Sequence, residues 1–349
     1  MPPRPHAARA GDSRASSAHA GRAVVGILVA SILGGCIAGP GLNARPSAAG
    51  TTGPDYPAAT ASPVVSPTPP AAATATASPT VLPTTENLRP RALRALEEQI
   101  GTLIRQVPSG IWGVYVEELT SGESVAIRSE EVFHPASTIK VGIAMDLLYW
   151  MERHPAVKWT NGPQAGQRSF SQLLEAMLIK SEESATVRLA AFLDAQPGYH
   201  LVDRWQAWGV THTTFIPRRS TPADLARLLE LLFKEEVLTP ESSARILSIM
   251  RAPKRSQSER IGSGLPAEVR ATLANKTGTT FENGAGVVAD TGIVEAKGKV
   301  LVIVVLGNKT SSADYETSMR LIGNVARAAY ATWIEPPEVR PAWLHGTIP

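Results

Sequence analysis

Apolar positions are unevenly spread along the 349-residue chain. Up to residue 86 there is one apolar run, Ala23 to Gly35, and from 87 to about 334 helical and strand periods follow one another. Leu93, Leu96, Ile100, Leu103 and Ile104 recur at helical spacing and predict a helix over 89–106. Ile111 to Leu119 and Ser124 to Arg128 read as strands on either side of the turn Thr120-Ser121-Gly122-Glu123. A helical block follows, with helices expected over 137–152, 169–180, 184–194, 199–208, 222–235 and 240–251. Thr221-Pro222 and Thr239-Pro240 mark two of its starts, because proline's missing N–H is one that a first helical turn leaves unbonded anyway. Ala271–Thr280, Ala285–Glu295 and Lys299–Gly307 are β-branched and alternating, and predict three strands. A helix over 312–333 ends the patterned region, and no internal repeat is present.

The order helix, two strands, many helices, three strands, helix points to an α/β (α+β) architecture. Its simplest packing is one antiparallel five-stranded sheet built from both ends of the chain, covered by the terminal helices, with an all-helical insertion beside it. A cleft between sheet edge and helical part is then the expected ligand site. This domain is expected over 87–335, with a short tail over 336–349; a core of roughly 250 residues needs no disulfide or metal staple.

Charge changes little. There are 34 basic and 31 acidic residues, but Arg4, Arg9, Arg14 and Arg22 against Asp12 put the whole surplus into residues 1–35. The remainder is neutral and offers no basic stripe to nucleic acid. The basic region ending at Arg22 and the apolar run after it read as a secretion signal, too short to span a bilayer, which needs about 20 residues. The run ends Leu33-Gly34-Gly35-Cys36, and Cys36 is the only cysteine. This resembles the lipobox of bacterial lipoproteins, which implies a signal peptide over 1–35, acylation of Cys36 and attachment to a membrane in the cell envelope. Residues 36–86 are rich in Pro, Ala, Thr and Ser, with Arg45, Asp55 and Glu86 as the charges. Such a segment cannot repay its ordering entropy. At about 3.1 Å per residue, a Pro-rich tether of about 50 residues reaches on the order of 150 Å.

Three short motifs carry chemistry. Ser137-Thr138-Ile139-Lys140 opens a predicted helix, so Ser137 and Lys140 share a face one turn apart. Serine needs a base to become nucleophilic, and a lysine can be that base if burial or a second cation keeps it neutral. The helix start adds N–H groups and partial positive charge for an oxyanion. Alone the motif is weak, arising about once by chance in a chain of this length. Lys276-Thr277-Gly278 lies on the first late strand: Lys276 and Thr277 can hold a substrate carboxylate, and Gly278 lets substrate lie close to the strand. The N–H groups of Thr279 and Ser137 can form an oxyanion hole. Ser181-Glu182-Glu183 lies between two helices, where a hydroxyl could relay protons; an ordinary helix cap is the plainer alternative. His134, three residues before Ser137, is more simply a packed approach residue than a catalytic one. No His/Glu pair has metal-ligand spacing and there is no second cysteine, so neither metal nor cofactor is expected. The tryptophans, among them Trp112, Trp150, Trp159, Trp205 and Trp208, read as core and cleft walls rather than a carbohydrate platform.

Ser-x-x-Lys, then Ser-Asp-Asn, then Lys-Thr-Gly is the signature of class A β-lactamases and penicillin-binding proteins. Ser137–Lys140, Ser181-Glu182-Glu183 and Lys276-Thr277-Gly278 resemble it in order and in their expected elements. The resemblance extends through Ala289-Asp290-Thr291-Gly292-Ile293-Val294 and the final helix, covering about 89–334. It implies the β-lactamase/transpeptidase fold, with Ser137 as nucleophile, Lys140 as base, Ser181 as relay, and Lys276, Thr277, Gly278 and Thr279 binding substrate. There are two departures. Glu183, a further catalytic candidate, stands where the family has an Asn that contacts substrate and lysine; it either slows acylation by keeping Lys140 charged or shares a proton with Lys140 and itself activates water. Class A enzymes also carry a loop Glu that activates water, and no Glu occurs between Ser184 and Leu229. Asp203-Arg204-Trp205-Gln206 superficially resembles that loop, but Val202, Trp205 and the Trp208-Gly209 stop fit a helix. The stretch from Gly209 to Leu229 resembles serine D-Ala-D-Ala carboxypeptidases or class A-related serine hydrolases. Three functions therefore stand open: β-lactam hydrolysis with slow deacylation, peptidoglycan carboxypeptidase chemistry, and a cell-wall-binding module without turnover. A monomer is expected.

Overall fold

The computed structural model describes residues 85–164, 166–252 and 258–335. Cys36, the expected signal over 1–35, nearly all of the tether expected over 36–86 and the tail 336–349 lie outside the described residues. Helix α1 (Thr85–Arg105) begins four residues earlier than its apolar period predicts. Strands β1 (Ile111–Glu118) and β2 (Glu123–Ile127) form the expected hairpin. The late strands β3 (Ala274–Glu282), β4 (Ala285–Ala296) and β5 (Lys299–Thr310) complete one antiparallel sheet in the order β2-β1-β5-β4-β3. Early and late strands meet in its middle, where Tyr115 of β1 and Thr291 of β4 flank Val304 of β5.

Strand β5 reads VLVIVVL because both of its faces are buried. Leu301, Ile303 and Val305 pack with α1 and the final helix α9 (Tyr315–Trp333), while Val302, Val304 and Leu306 pack with the helical lobe. That lobe comprises α2 (Lys140–Arg153), α3 (Phe170–Leu178), α4 (Glu183–Asp194), α5 (Leu201–Ala207), α6 (Pro222–Phe233) and α7 (Pro240–Arg251). Helix α2 is buried from Lys140 through Leu148, as expected of a helix apolar on most of its surface. The predicted caps form: the Thr221 and Thr239 hydroxyls accept the N–H groups of Asp224 and Ser242. The Asp203–Gln206 stretch is helical and ends at Gly209, whose φ of +82° suits glycine beyond a helix end.

Two boundaries differ in ways that matter for the site. The helix expected from 137 begins at Lys140, and Ala136–Ile139 form a 3-10 turn. The turn is tightened because the Thr138 N–H and hydroxyl both donate to the Pro135 carbonyl, at 3.2 and 2.7 Å. The strand expected from Ala271 begins at Ala274, because the chain first makes a short helix, α8 (Ala267–Arg270), and a turn closed by the Thr272 hydroxyl on the Val269 carbonyl.

Candidate active site

Four elements converge at the edge strand β3. The turn carrying Ser137 lies directly against it: a Cβ on Gly278 would meet the Pro135 oxygen at 2.9 Å, the Ala136 Cβ at 2.9 Å and the Ser137 nitrogen at 3.0 Å. Glycine is therefore required at this point for the Ser137 turn to touch the strand. Ala136 has a left-handed backbone, φ +50°, which is uncommon for a residue with a side chain and is retained only where surroundings enforce it. Those surroundings are His134 and Asn308. The His134 ring Nδ1 accepts the Ala136 N–H at 3.0 Å, and Asn308 holds the His134 backbone at both its N–H (2.7 Å) and its carbonyl (3.1 Å). Half-burial and the Arg219 and Arg218 charges hold the His134 ring below its ordinary pKa, against an upward pull from Glu282. His134 is thus a packed support for the turn.

Lys140 has no solvent-exposed surface. Its Nζ donates to the Ser181 carbonyl at 2.8 Å, lies 3.4 Å from the Ser181 hydroxyl and pairs with Glu183 Oε2 at 3.1 Å. In a 3-10 turn side chains three apart eclipse one another, so Ser137 and Lys140 still share a face although the α-helix starts later than expected. From the opposite side, Lys276 Nζ donates to the same Ser181 hydroxyl at 3.0 Å and to the Thr277 carbonyl at 2.8 Å. Ser181 meets both lysines because its backbone is left-handed, φ +56°, in the link between α3 and α4. The cap of α4 is Glu182, so Ser181 is not the ordinary helix cap that its position between two helices allowed.

The electrostatics turn on Glu183, in the first turn of α4. One oxygen faces Lys140; the other takes a hydrogen bond from Arg218. Burial pushes the Glu183 carboxyl up, but the Arg218 hydrogen bond, the charges of Lys140 and Arg218 and the Lys140 hydrogen bond together hold it below its usual range. Burial pushes Lys140 down, Glu183 pulls it up, and Arg218 pushes it down again; the net is a lysine more readily deprotonated than usual.

The remaining expected residues fall on β3. Thr277 pairs with Asp290 across the β3–β4 ladder, and the Thr279 hydroxyl accepts from Arg260 Nη2 at 2.5 Å. Arg260 is buried and also donates to the carbonyls of Gly278 (3.0 Å) and Ala289 (2.7 Å), tying the Lys276–Thr279 segment to β4. The sequence profile of the beta-lactamase enzyme family matches residues 95–333. The chain belongs to that family.

Among solved structures, this β-lactamase-family chain is similar to PBP-A, with 26% identity, a TM-score of 0.59, and coverage of 69% of this chain and 96% of PBP-A. A mutant of PBP-A solved as an acyl-enzyme complex with penicillin G is 25% identical, with a TM-score of 0.58, over 69% of this chain and 97% of that one. An ancestral class A β-lactamase shares the fold at 24% identity and a TM-score of 0.59, over 68% of this chain and all of that one, 100%. No curated protein matches the sequence. Arg218, Arg260 and Asn308 were not legible as site residues from sequence: each acts through a contact to a distant element, and no motif announces it. The Arg218-Arg219 pair in an otherwise uncharged loop was the one available hint.

Proposed function

We propose that this family member is a serine acyl-hydrolase whose Ser137 is acylated by β-lactams. The observation that carries the reading is the gathering of Lys140, Ser181 and Lys276 around one hydroxyl beside the Ser137 turn. In the proposed step Ser137 Oγ attacks the ring carbonyl, and its proton passes to neutral Lys140. The C–N bond breaks, its electron pair going to nitrogen, and that nitrogen takes the proton through Ser181. The N–H groups of Ser137 and Thr279 would receive the oxyanion, and Lys276 with Thr277 would hold the substrate carboxylate.

Deacylation is proposed to be slow. Neither Gln206 nor any residue between Ser184 and Leu229 supplies a loop glutamate, and both Glu183 oxygens already face cations. The likeness to PBP-A supports a second reading, cleavage of D-Ala-D-Ala ends of peptidoglycan peptides with the same residues. A non-catalytic cell-wall-binding module is the third. The protein would act in the cell envelope, anchored through lipidated Cys36.

Intact-mass measurement of the full-length chain with penicillin G tests the common core. Wild type should gain one long-lived adduct, and Ser137→Ala and Lys140→Ala should gain none. An adduct on Ser137→Ala, or none on wild type, rejects the reading. Release of D-alanine from a D-Ala-D-Ala peptide, against turnover of a chromogenic cephalosporin, separates the two substrates; neither activity despite adduct formation favours the binding module.

A further inference from the structure

The loop between α5 and α6 reaches the site from the far side. Thr214 and Arg219 pair with each other through their backbones, and Ser220 exchanges backbone hydrogen bonds with Phe133, four residues before Ser137, at 2.8 and 3.0 Å. Arg219 pairs with Glu282 at the end of β3, at 2.8 Å. The loop is therefore fastened to the nucleophile's turn and to the substrate strand, and Arg218 at its centre points to Glu183. The Arg218 side chain is only 21% exposed and lies 5.3 Å over the Phe215 ring. Its guanidinium takes Glu183 Oε1 and Lys140 takes Oε2, so one carboxylate is held between two cations.

This arrangement has a chemical consequence. A carboxylate next to a buried lysine stabilises the ammonium, and an ammonium cannot accept the proton of Ser137. A second cation on the same carboxylate draws off part of its field and repels the ammonium directly. We propose that Arg218 is a positioning residue for acyl transfer: by binding one oxygen of Glu183, it loosens that carboxylate's hold on Lys140 and lets Lys140 serve Ser137 as base. The inference rests on the acylation reading above and assigns a role to the loop that lacks a glutamate.

Among the described residues, the other charged or titratable groups near Lys140 and Glu183 have partners of their own. Lys276 of β3 acts on the shared Ser181 hydroxyl. Glu182 is turned to Arg168 and Ser184. His134 on the nucleophile's turn supports Ala136, and Glu282 is taken by Arg219. Arg218 is thus the cation opposite Lys140 across Glu183.

The test is the rate of acylation by a fluorescent penicillin between pH 5 and 10, on the full-length chain, with thermal melting as the check on folding. In wild type the rate rises with pH as Lys140 loses its proton. In Arg218→Ala the rise should move up by about one pH unit, making acylation roughly tenfold slower at pH 7. Arg218→Lys should restore most of the rate. In a Glu183→Gln background the shift caused by Arg218→Ala should fall by half or more, because the carboxylate through which Arg218 acts is gone. An unmoved profile in Arg218→Ala, or an equal shift with and without Glu183, overturns this inference and leaves acylation standing. A wild-type chain that is not acylated at any pH overturns both.

Discussion

Replacing Asp146 by Asn should stabilise this protein at neutral pH and leave it unchanged in acid. Asp146 lies on α2 below Lys140 and has no exposed surface. The Tyr199 hydroxyl donates to its Oδ1 at 2.7 Å, and Arg204 Nε lies 3.1 Å from the same oxygen, but Oδ2 has no hydrogen-bond partner. Burial pushes the carboxyl up from 3.8 to about 7, outweighing the Tyr199 hydrogen bond and the Arg204 charge that favour ionisation. The unfolded chain titrates near 3.8. Between these values the folded state holds a proton that the unfolded state has released, so stability falls as pH rises through this window. About three units at about 1.36 kcal/mol each amount to roughly 4 kcal/mol. An asparagine side chain at this position would be close in shape to the protonated acid, would keep the Tyr199 hydrogen bond and would not titrate. The stability gain of Asp146→Asn should therefore be near zero at pH 4, grow to roughly 4 kcal/mol by pH 7 and then level off. Urea unfolding followed by tryptophan fluorescence at pH 4 to 8.5 measures it. A gain independent of pH, or a variant less stable than wild type above pH 7, would mean that the Arg204 pairing outweighs desolvation, and the reasoning would fail.

Gly278→Ala should leave the fold intact and slow acylation on the order of a hundredfold, since displacements of about 1 Å at a reacting centre cost about that much; the new Cβ would push on the turn that bears Ser137, with contacts at 2.9–3.0 Å. Unchanged acylation with an unchanged melting temperature would disprove that contact's importance. Cys36→Ala should release the protein from the membrane fraction of a bacterial host, whereas wild type stays with it; a soluble wild type rejects the lipid anchor.

Much of the candidate site could be read before any fold was known. Ser137, Lys140, Ser181, Lys276, Thr277 and Gly278 were marked by motif and order, and the helices and strands around them by local periodicity and caps. Such signals act over a turn of helix or a pair of strand residues, so they survive in one dimension. Boundaries set by side-chain contacts did not: a Thr138 hydroxyl closing on Pro135 turned the predicted helix start into a 3-10 turn. The partners that tune the site were decided by tertiary structure alone. Arg218 meets Glu183 across 35 residues, Lys276 meets Ser181 across 95, and Asn308 grips His134 across 174. None of these pairings leaves a local pattern, because an arginine in a loop reads as solvated until the fold brings a carboxylate to it. The same holds for Asp146, whose carboxyl is pushed up by burial against the pull of Tyr199 and Arg204, both more than fifty residues away in sequence. Sequence named the candidate reacting groups; only close packing decided which charges surround them, and in the proposed mechanism those charges set when Lys140 can act as a base.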